Sequence, residues 1–449
     1  MLSKYFSYSL MKYVRPIWYF HIMPNNKGNN VWIDYQELSM MEKKMINYDV
    51  EYSNKALNNW DASYQALMKG VIKNTSKNIN TKDMELLPVD IYRFTRKYHK
   101  IVWVYATFFQ RILFSNPIDE LLGFWHTRKV KNINIFKTYY KYGDYFNYNS
   151  ILIQTTPLVS IIIPTYNRYN SLRNVLDDIR KQIYTNFEVI VIDQSNSFKE
   201  QFYEDFDFNY NVIRQKKPAL WKARNDGIKY AKSEYILFLD DDSRISSNWI
   251  SEHLKCIDYF NADISSGVSI STIGAKVPQN YSFFRWSDQL DTGNVLIKKE
   301  VFKKCGLFDK QFERMRMGDG EFGLRAYLNG FKNVSNPIAS RIHLKIGQGG
   351  LRDMGHWDGF RPTNIFAPRP IASVLYYWRR YWQNDAAIRS CINIIPFSIN
   401  PYFMKGKRIG YIISIFFFLL LLPIFLIQVL RSWIKSSKMI NRGPDIEKI

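Results

Sequence analysis

Residues Glu234–Ser243 read EYILFLDDDS, and the fold is decided by how this stretch is built. Tyr235 to Leu239 are aromatic or aliphatic without a polar break. Such a run predicts a strand buried on both faces, as in a parallel sheet covered by helices. It ends in Asp240, Asp241 and Asp242, three adjacent carboxylates that repel one another. They belong at a strand end open to water or to a cation. The carboxyl end of a parallel strand is where open α/β sheets bind ligands. Hard divalent cations take oxygen ligands, which they share with a substrate's phosphates. A solvated acidic turn is the competing reading; the buried strand in front and the segments around it weigh against it.

Those segments repeat the pattern. Leu158 to Ile163 (LVSIII) predicts a strand ended by Pro164. A helix capped by Ser171 follows, with Leu172, Val175, Leu176, Ile179 and Ile183 on one face. Phe187 to Ile192 (FEVIVI) predicts a second buried strand, ending at Asp193, and Pro218 opens a helix through Ala231. Strands alternating with helices predict a right-handed, mostly parallel α/β sheet. Asp263–Ile270 and Gly293–Ile297 predict shorter strands. A glycine cluster follows at Gly318, Gly320, Gly323, Gly347, Gly349 and Gly350, able to fold over a ligand or simply irregular.

The whole chain has 449 residues, 16% aromatic, with a formal charge of +22. That length suits two domains, or one large domain with additions. The charge favours anionic partners: nucleic acid, an acidic membrane surface or phosphorylated substrates. No recognition helix, zinc-ligand spacing or aromatic RNA-binding motif supports nucleic acid. Cys256, Cys305 and Cys391 form neither a disulfide framework nor a metal knuckle, which fits a reducing compartment. Lys4, Lys12 and Arg15 interrupt any secretory signal.

Residues 1–150 read as a mostly helical accessory region. Ser115-Asn116-Pro117 with Asp119 and Glu120 marks a helix start. Ile101–Phe114 is apolar but broken by Gln110 and Arg111, and is shorter than the roughly 20 residues a bilayer span needs; it reads as a buried or interfacial helix. After an α/β domain over 157–350, a segment over 351–404 contains IASVLYYWRRYW (Ile371–Trp382). Its aromatics and arginines suit a bilayer interface, or equally an amphipathic helix packed on the α/β domain. Ile409–Leu430 carries no charge over 22 residues and predicts one membrane-spanning or deeply embedded helix, kinked at Pro423, in preference to a re-entrant hairpin. A basic tail occupies 431–449.

Five motifs stand in order: IIIPTYNR (Ile161–Arg168), EVIVID (Glu188–Asp193), ARNDGI (Ala223–Ile228), LFLDDDS (Leu237–Ser243) and GDGEFGLR (Gly318–Arg325). Together they resemble the inverting family 2 glycosyltransferases of the GT-A fold, over about residues 157–350. The resemblance implies a membrane-associated bacterial enzyme of glycan biosynthesis. It would move a sugar from a nucleotide diphosphate, most simply a UDP-sugar, to a hydroxyl of a glycan or lipid-linked acceptor. It implies Mn²⁺ or Mg²⁺ as cofactor, and the apolar tail is expected to attach the chain to the inner membrane with the catalytic domain in the cytoplasm. Asp240 and Asp242 fit the DxD positions, Asp242 on the metal and Asp240 nearer the ribose and the metal shell, with Asp241 in the variable middle. Arg224 fits an arginine that holds the nucleotide or diphosphate. Thr165 and Tyr166 fit the base pocket, and Asp193 the acid that reads base or ribose. Asp319 fits the base that takes the acceptor's proton, kept charged at a helix start. Glu321 fits either a sugar contact or a plain first-turn acid. His343 fits a late metal or diphosphate ligand, or a structural histidine, and Asp291 is within reach of the donor sugar.

Two positions depart from the pattern. Gly318 stands where the family has Glu, which touches acceptor contacts, and Gln194 where a second Asp is common, which touches base recognition. The Q-x-x-R-W signature of processive synthases is missing, since Arg285-Trp286 lacks the glutamine and precedes Asp319. Addition of single sugars is therefore expected rather than polymerisation. The rival enzyme class, a sugar nucleotidyltransferase, would show a GxGxR loop where this chain has Pro164-Thr165-Tyr166. The rival non-enzyme reading is a basic membrane-surface scaffold with a degenerate transferase domain.

Overall fold

The structure, a computed structural model, describes residues 9–11, 13–14, 17–22, 31–73, 86–113, 115–272, 276–347, 359–361, 364–400, 402–404 and 407–449. Gly349 and Gly350 of the glycine cluster, and Lys4, Lys12 and Arg15, lie outside them.

The stretch that ends in the three aspartates is strand β4, with β1 beside it, and both are buried on two faces as their unbroken apolar runs require. The strands are β1 Val159–Thr165, β2 Phe187–Asp193, β3 Tyr210–Arg214, β4 Tyr235–Leu239 and β5 Ser243–Ile245. They continue with β6 Ile264–Ser271, β7 Arg285–Trp286, β8 Asn294–Lys298 and β9 Asn333–His343. They form one sheet in the order β3-β2-β1-β4-β8-β6-β9-β5, with β7 on β9. The first four strands are parallel, as predicted. Beyond β4 the sheet is mixed: β8 runs antiparallel to β4 and β6, β9 parallel to β6, and β5 and β7 antiparallel to β9. The expectation of a mostly parallel sheet therefore holds only up to β4, where strand–helix alternation stops setting strand direction.

Alternation along the strands feeds two cores. Ile161, Ile163, Leu237 and Leu239 meet Leu172, Val175, Trp249 and Leu254 on one face. Ile162, Ile236 and Phe238 meet Trp221, Phe302, Phe308 and Phe322 on the other. The helix Tyr169–Arg180 starts two residues before Ser171, and Ile183 lies beyond its end, exposed. The helix Leu220–Tyr230 crosses close to β1; a Cβ on Gly227 would lie 2.5 Å from Ile162 Cγ2.

The accessory region is largely helical, with helices Lys55–Met68, Pro88–Tyr98, Ile101–Ile112 and Pro117–His126. Asn116 caps the last of these by accepting from the Ile118 amide at 3.1 Å. Trp18, Phe20 and Trp32 share the core that holds Tyr327 and Trp382, so this region is fused to the sheet domain.

In the later chain one of two equal readings is found and one expectation is corrected. The aromatic segment forms the helix Ala372–Ile394, and Tyr376, Tyr377 and Trp382 are buried in the core, as the packed-helix reading has it. Arg380 donates to Asp309 at 3.1 Å, which explains why its charge tolerates this site. The apolar stretch is two helices, Arg408–Leu420 and Leu422–Arg442, bent by 82°. Pro423 lacks an amide hydrogen and crowds the preceding turn, so it opens the second helix and does not continue the first. Among the described residues no single helix is long and apolar enough to cross a membrane, though this bent pair passes by length and composition.

After Gly443 the chain returns to the sheet domain. Leu307 donates its amide to the Glu447 carbonyl at 2.8 Å, and Lys229 and Lys310 pair with the Glu447 carboxylate at 2.5 and 2.6 Å. Hydrogen bonds from those lysines pull the Glu447 carboxyl down from its ordinary 4.5 to about 2. A depressed carboxylate contributes its stability above the ordinary value and loses it as pH falls through the folded value. Docking of residues 443–449 is thus expected to be complete above pH 4.5 and to fail towards pH 2. Glu447→Gln is expected to raise amide exchange in this stretch at neutral pH, and unchanged protection would contradict the assignment. Gly227→Val is expected to lower stability by about 1–3 kcal/mol through overpacking, read as a shift in denaturant midpoint; an unmoved midpoint would show that the helix has room.

Candidate active site

The carboxylates at the end of β4 are held by guanidinium groups from three different elements. Asp240 accepts from Arg224 at 2.8 Å through one oxygen and from Arg341 at 3.0 Å through the other. Arg224 is buried on the helix Leu220–Tyr230, its guanidinium 5.1 Å from the Trp221 ring centroid. Arg341 is buried on β9 and also donates to Asp291 at 3.1 Å and to Ser243 Oγ at 2.7 Å. Asp241 accepts from Thr165 Oγ1 at 2.8 Å and from Arg168 at 3.0 Å. Burial pushes the Asp241 carboxyl up to about 6, although Arg168 pulls the other way. Arg168 also reaches Asp242 at 3.3 Å. The middle aspartate is therefore a fixed strut from β4 to the end of β1.

Strand pairing supplies the histidine. Ser243 of β5 lies opposite His343 of β9, which sets the imidazole beside Asp242, with Nε2 3.4 Å from Oδ1. One ligand atom each from Asp240, Asp242 and His343 all lie within 4.8 Å of one another. Two carboxylates and an imidazole suit a divalent cation of the Mg²⁺ or Mn²⁺ kind, the nitrogen leaning towards Mn²⁺. The loop before β8 closes the cluster from below. A Cβ on Gly293 would lie 2.2 Å from both Asp240 Oδ2 and Arg341 Nη2, so any side chain there would push these two groups aside. Asp291 is fixed by Ser269 Oγ at 2.6 Å and by Arg341. Its neighbour Asn294 is scaffold, accepting from Trp249 Nε1 at 2.8 Å in the core.

Asp319 occupies the first turn of the helix Gly318–Leu328 and is half-buried. Met317 before it takes a left-handed φ of 80°, which swings the chain into the helix. A side chain at 318 would strike the Trp221 indole at 2.4 Å. Trp221 thus explains the glycine at 318, and it links this helix start to Arg224 and Asp240.

Other expected site residues are positioned differently. Glu321 is fully buried, taken up by Arg325 at 3.0 Å, by Arg380 at 3.4 Å and by the Tyr381 hydroxyl. It locks two helices together, as a structural first-turn acid would. Asp193 is also fully buried, accepting from Tyr169 at 2.7 Å, Tyr203 at 2.8 Å and the Ser195 amide at 2.8 Å. Its oxygens hold the loop after β2. Gln194 accepts from Gln215 Nε2 at 2.8 Å and from the Ala219 amide at 2.6 Å, tying that loop to the helix carrying Arg224. Tyr166 is half-buried next to Thr165.

Residues 160–309, from β1 to beyond β8, match the family described as Glycosyl transferase family 2. The chain carries a family 2 glycosyltransferase domain. Its fold is the GT-A-like α/β arrangement, with helices on both faces of a mixed sheet. The glycosyltransferase GlyA of Streptococcus pneumoniae serotype 4 is 28% identical over 167 residues, covering 35% of this chain and 22% of that protein. Chondroitin synthase of Escherichia coli is 27% identical over 234 residues, covering 40% and 34%. The chain therefore spans less than two thirds of the length of these curated relatives. Among solved structures, S. aureus TarS 1–349 in complex with UDP-GlcNAc is 21% identical with a TM-score of 0.41, covering 57% of this chain and 79% of that one. The mannosyltransferase PcManGT from Pyrobaculum calidifontis, in complex with GDP-Man and Mn²⁺, is 15% identical with a TM-score of 0.41, covering 63% and 86%.

Arg168 and Arg341 of the glycosyltransferase domain were not singled out from the sequence. Period-two alternation puts Arg341 and His343 on the same face of a strand, and that signal was available once β9 was suspected. Gly293→Ala is expected to displace Asp240 and Arg341 together and to weaken Mn²⁺ binding by roughly 10- to 100-fold, the range for groups that orient metal ligands. Unchanged affinity by calorimetry would place the cation elsewhere.

Proposed function

We propose that this chain transfers a sugar, with inversion, from a nucleotide diphosphate to an acceptor hydroxyl. The observation that carries the reading is the convergence of Asp240, Asp242 and His343 at a sheet edge, backed by Arg224, Arg168 and Arg341. Such an arrangement suits an anionic leaving group, because preorganised positive charge favours the state in which the diphosphate departs. A divalent cation, Mn²⁺ or Mg²⁺, when bound by the acid–imidazole cluster, supplies further positive charge there. Arg224 and Arg168 hold the donor's diphosphate by charge-assisted hydrogen bonds. Asp319 accepts the proton that the acceptor hydroxyl loses as it attacks, and the helix start keeps its carboxylate charged. Asp291, fixed by Arg341, orients the donor sugar. Thr165 and Tyr166 flank the base.

A UDP-sugar is the donor proposed, on the resemblance of the five motifs. The acceptor proposed is a glycan or lipid-linked intermediate at the cytoplasmic side of the inner membrane. In support of that placement, the bent pair turns Ile409, Ile412, Phe416, Leu419, Leu426 and Leu430 outward. An outward apolar face of this length is stable only when covered.

Asp319→Asn is expected to cut transfer by roughly 10²- to 10⁴-fold, the contribution of a positioned base, with nucleotide affinity unchanged. Asp242→Ala is expected to abolish the part of nucleotide binding that depends on Mn²⁺. A thermal-shift panel of nucleotide sugars with and without Mn²⁺ reads donor and metal together. Full turnover by Asp319→Asn, or transfer indifferent to a chelator, would overturn the mechanism.

A further inference from the structure

Helices Ile101–Ile112 and Pro117–His126 have inverted polarity. Ile101, Tyr105, Phe109 and Leu113 recur every fourth residue, one helical stripe, and all are exposed, Phe109 by 62% and Leu113 by 74%. Ile118, Leu121, Leu122 and Trp125 make a matching stripe on the second helix, with Ile118 66% and Trp125 62% exposed. An ion pair lies on the inner side: Glu120 is buried, accepting from Tyr92 at 2.6 Å and paired with Arg111 at 2.5 Å, while Asp119 and His126 are exposed. A helix pair in water would present the opposite faces.

Beside these stripes lies a cavity of about 560 Å³. It is lined by Arg96, His99, Lys100, Arg128, Asn132 and Tyr411, with apolar residues between them and no carboxylate among the described lining. The two arginines are held by neutral oxygens. Arg96 donates to Thr127 Oγ1 and the Phe124 carbonyl, both at 3.2 Å, and Arg128 donates to the Trp125 carbonyl at 3.1 Å. Arg128 lies 4.5 Å from the Trp125 ring centroid, a cation on an aromatic at the edge of the apolar stripe. Tyr411 belongs to the first helix of the bent pair, so the cavity joins the accessory stripes to that apolar element. The join is packed: Trp103 meets Phe397 at 6.2 Å, Phe397 meets Tyr411 at 5.3 Å, and Gln110 donates to Asn393 at 2.6 Å.

We propose that the helices over 101–126 seat their outward stripes in the interfacial layer of an anionic bilayer, and that the basic cavity beside them takes the phosphate of a lipid headgroup. Apolar residues, tryptophan and arginine in that order from stripe to rim form the profile of a bilayer interface. Arg96 and Arg128, bonded to neutral oxygens among the described residues, complement an anionic headgroup, and the contiguous apolar bent pair extends the same surface. This gives the accessory region a role independent of sugar transfer.

The native cysteines are all buried, so a cysteine introduced at an exposed position is labelled selectively. In the full chain, an environment-sensitive dye on Ile118→Cys is expected to shift to the blue on mixed phosphatidylcholine–phosphatidylglycerol vesicles and to be quenched by brominated lipid. The same dye on Ile183→Cys, on the sheet domain, is expected to stay in water. A dye at 118 that remains in water while the chain is vesicle-bound through the bent pair would overturn the proposal. So would a blue shift without lipid, which would mean a second copy covers the stripe. Lys100→Gln combined with Arg128→Gln is expected to weaken binding to the mixed vesicles by roughly 10- to 30-fold, the effect of two cations at an anionic surface, with binding to pure phosphatidylcholine unchanged. An unaltered preference for phosphatidylglycerol would remove the headgroup site.

Discussion

Every feature of the site depends on pairing three carboxylates with three guanidinium groups at the end of one strand. Asp240, Asp241 and Asp242 are consecutive, and their mutual repulsion would open the end of β4 if they stood alone. Arg224, Arg168 and Arg341 come from a helix, from the loop after β1 and from β9 to offset it. Buried ion pairs of this kind are costly to assemble and costlier to leave half-made, about 3–5 kcal/mol when one partner is lost. The pairing therefore ties the two halves of the sheet: β1 and the helix before β4 on one side, β9 on the other. His343 is brought to Asp242 only because β9 is held there.

What was legible in the sequence follows from local pattern. Strands β1, β2 and β4 are unbroken apolar runs, and their ends carry the motif residues, so strand and motif reinforced each other. The acids and the histidine of the cation cluster are legible through the resemblance of the motifs to a known family. Strand β9 was not foreseen, because Asn333, Ser335, Asn336, Pro337 and Arg341 hide it among polar residues. Its side chains are polar since they serve hydrogen bonds and charge pairs across the sheet, which no local period reports. Arg341 was missed for that reason, and Arg168 was read as the end of a motif and not as a partner of Asp241.

The roles of Asp193 and Glu321 show the opposite limit. Residue type matched the family at both positions, but type alone does not reveal whether a carboxylate faces a cleft or a tyrosine. Tyr169, Tyr203 and Tyr381 lie far enough along the chain that only the folded structure puts them against these acids. Gly318 is the complementary case. Trp221, nearly a hundred positions earlier, fills the space a side chain at 318 would need, which no local pattern reports. In the same way, hydropathy alone predicted one helix over 409–430, while Pro423 divides it into two.

The bent pair is fastened at both of its ends. Before it, the helix Ala372–Ile394 is buried against the sheet domain; after it, residues 443–449 lie along the same domain with Glu447 between two lysines. An apolar element attached on one side only would swing like a flag, whereas one gripped on both sides behaves as a fixed foot. The spacing between that foot and the carboxylate cluster is therefore fixed by the protein's own packing.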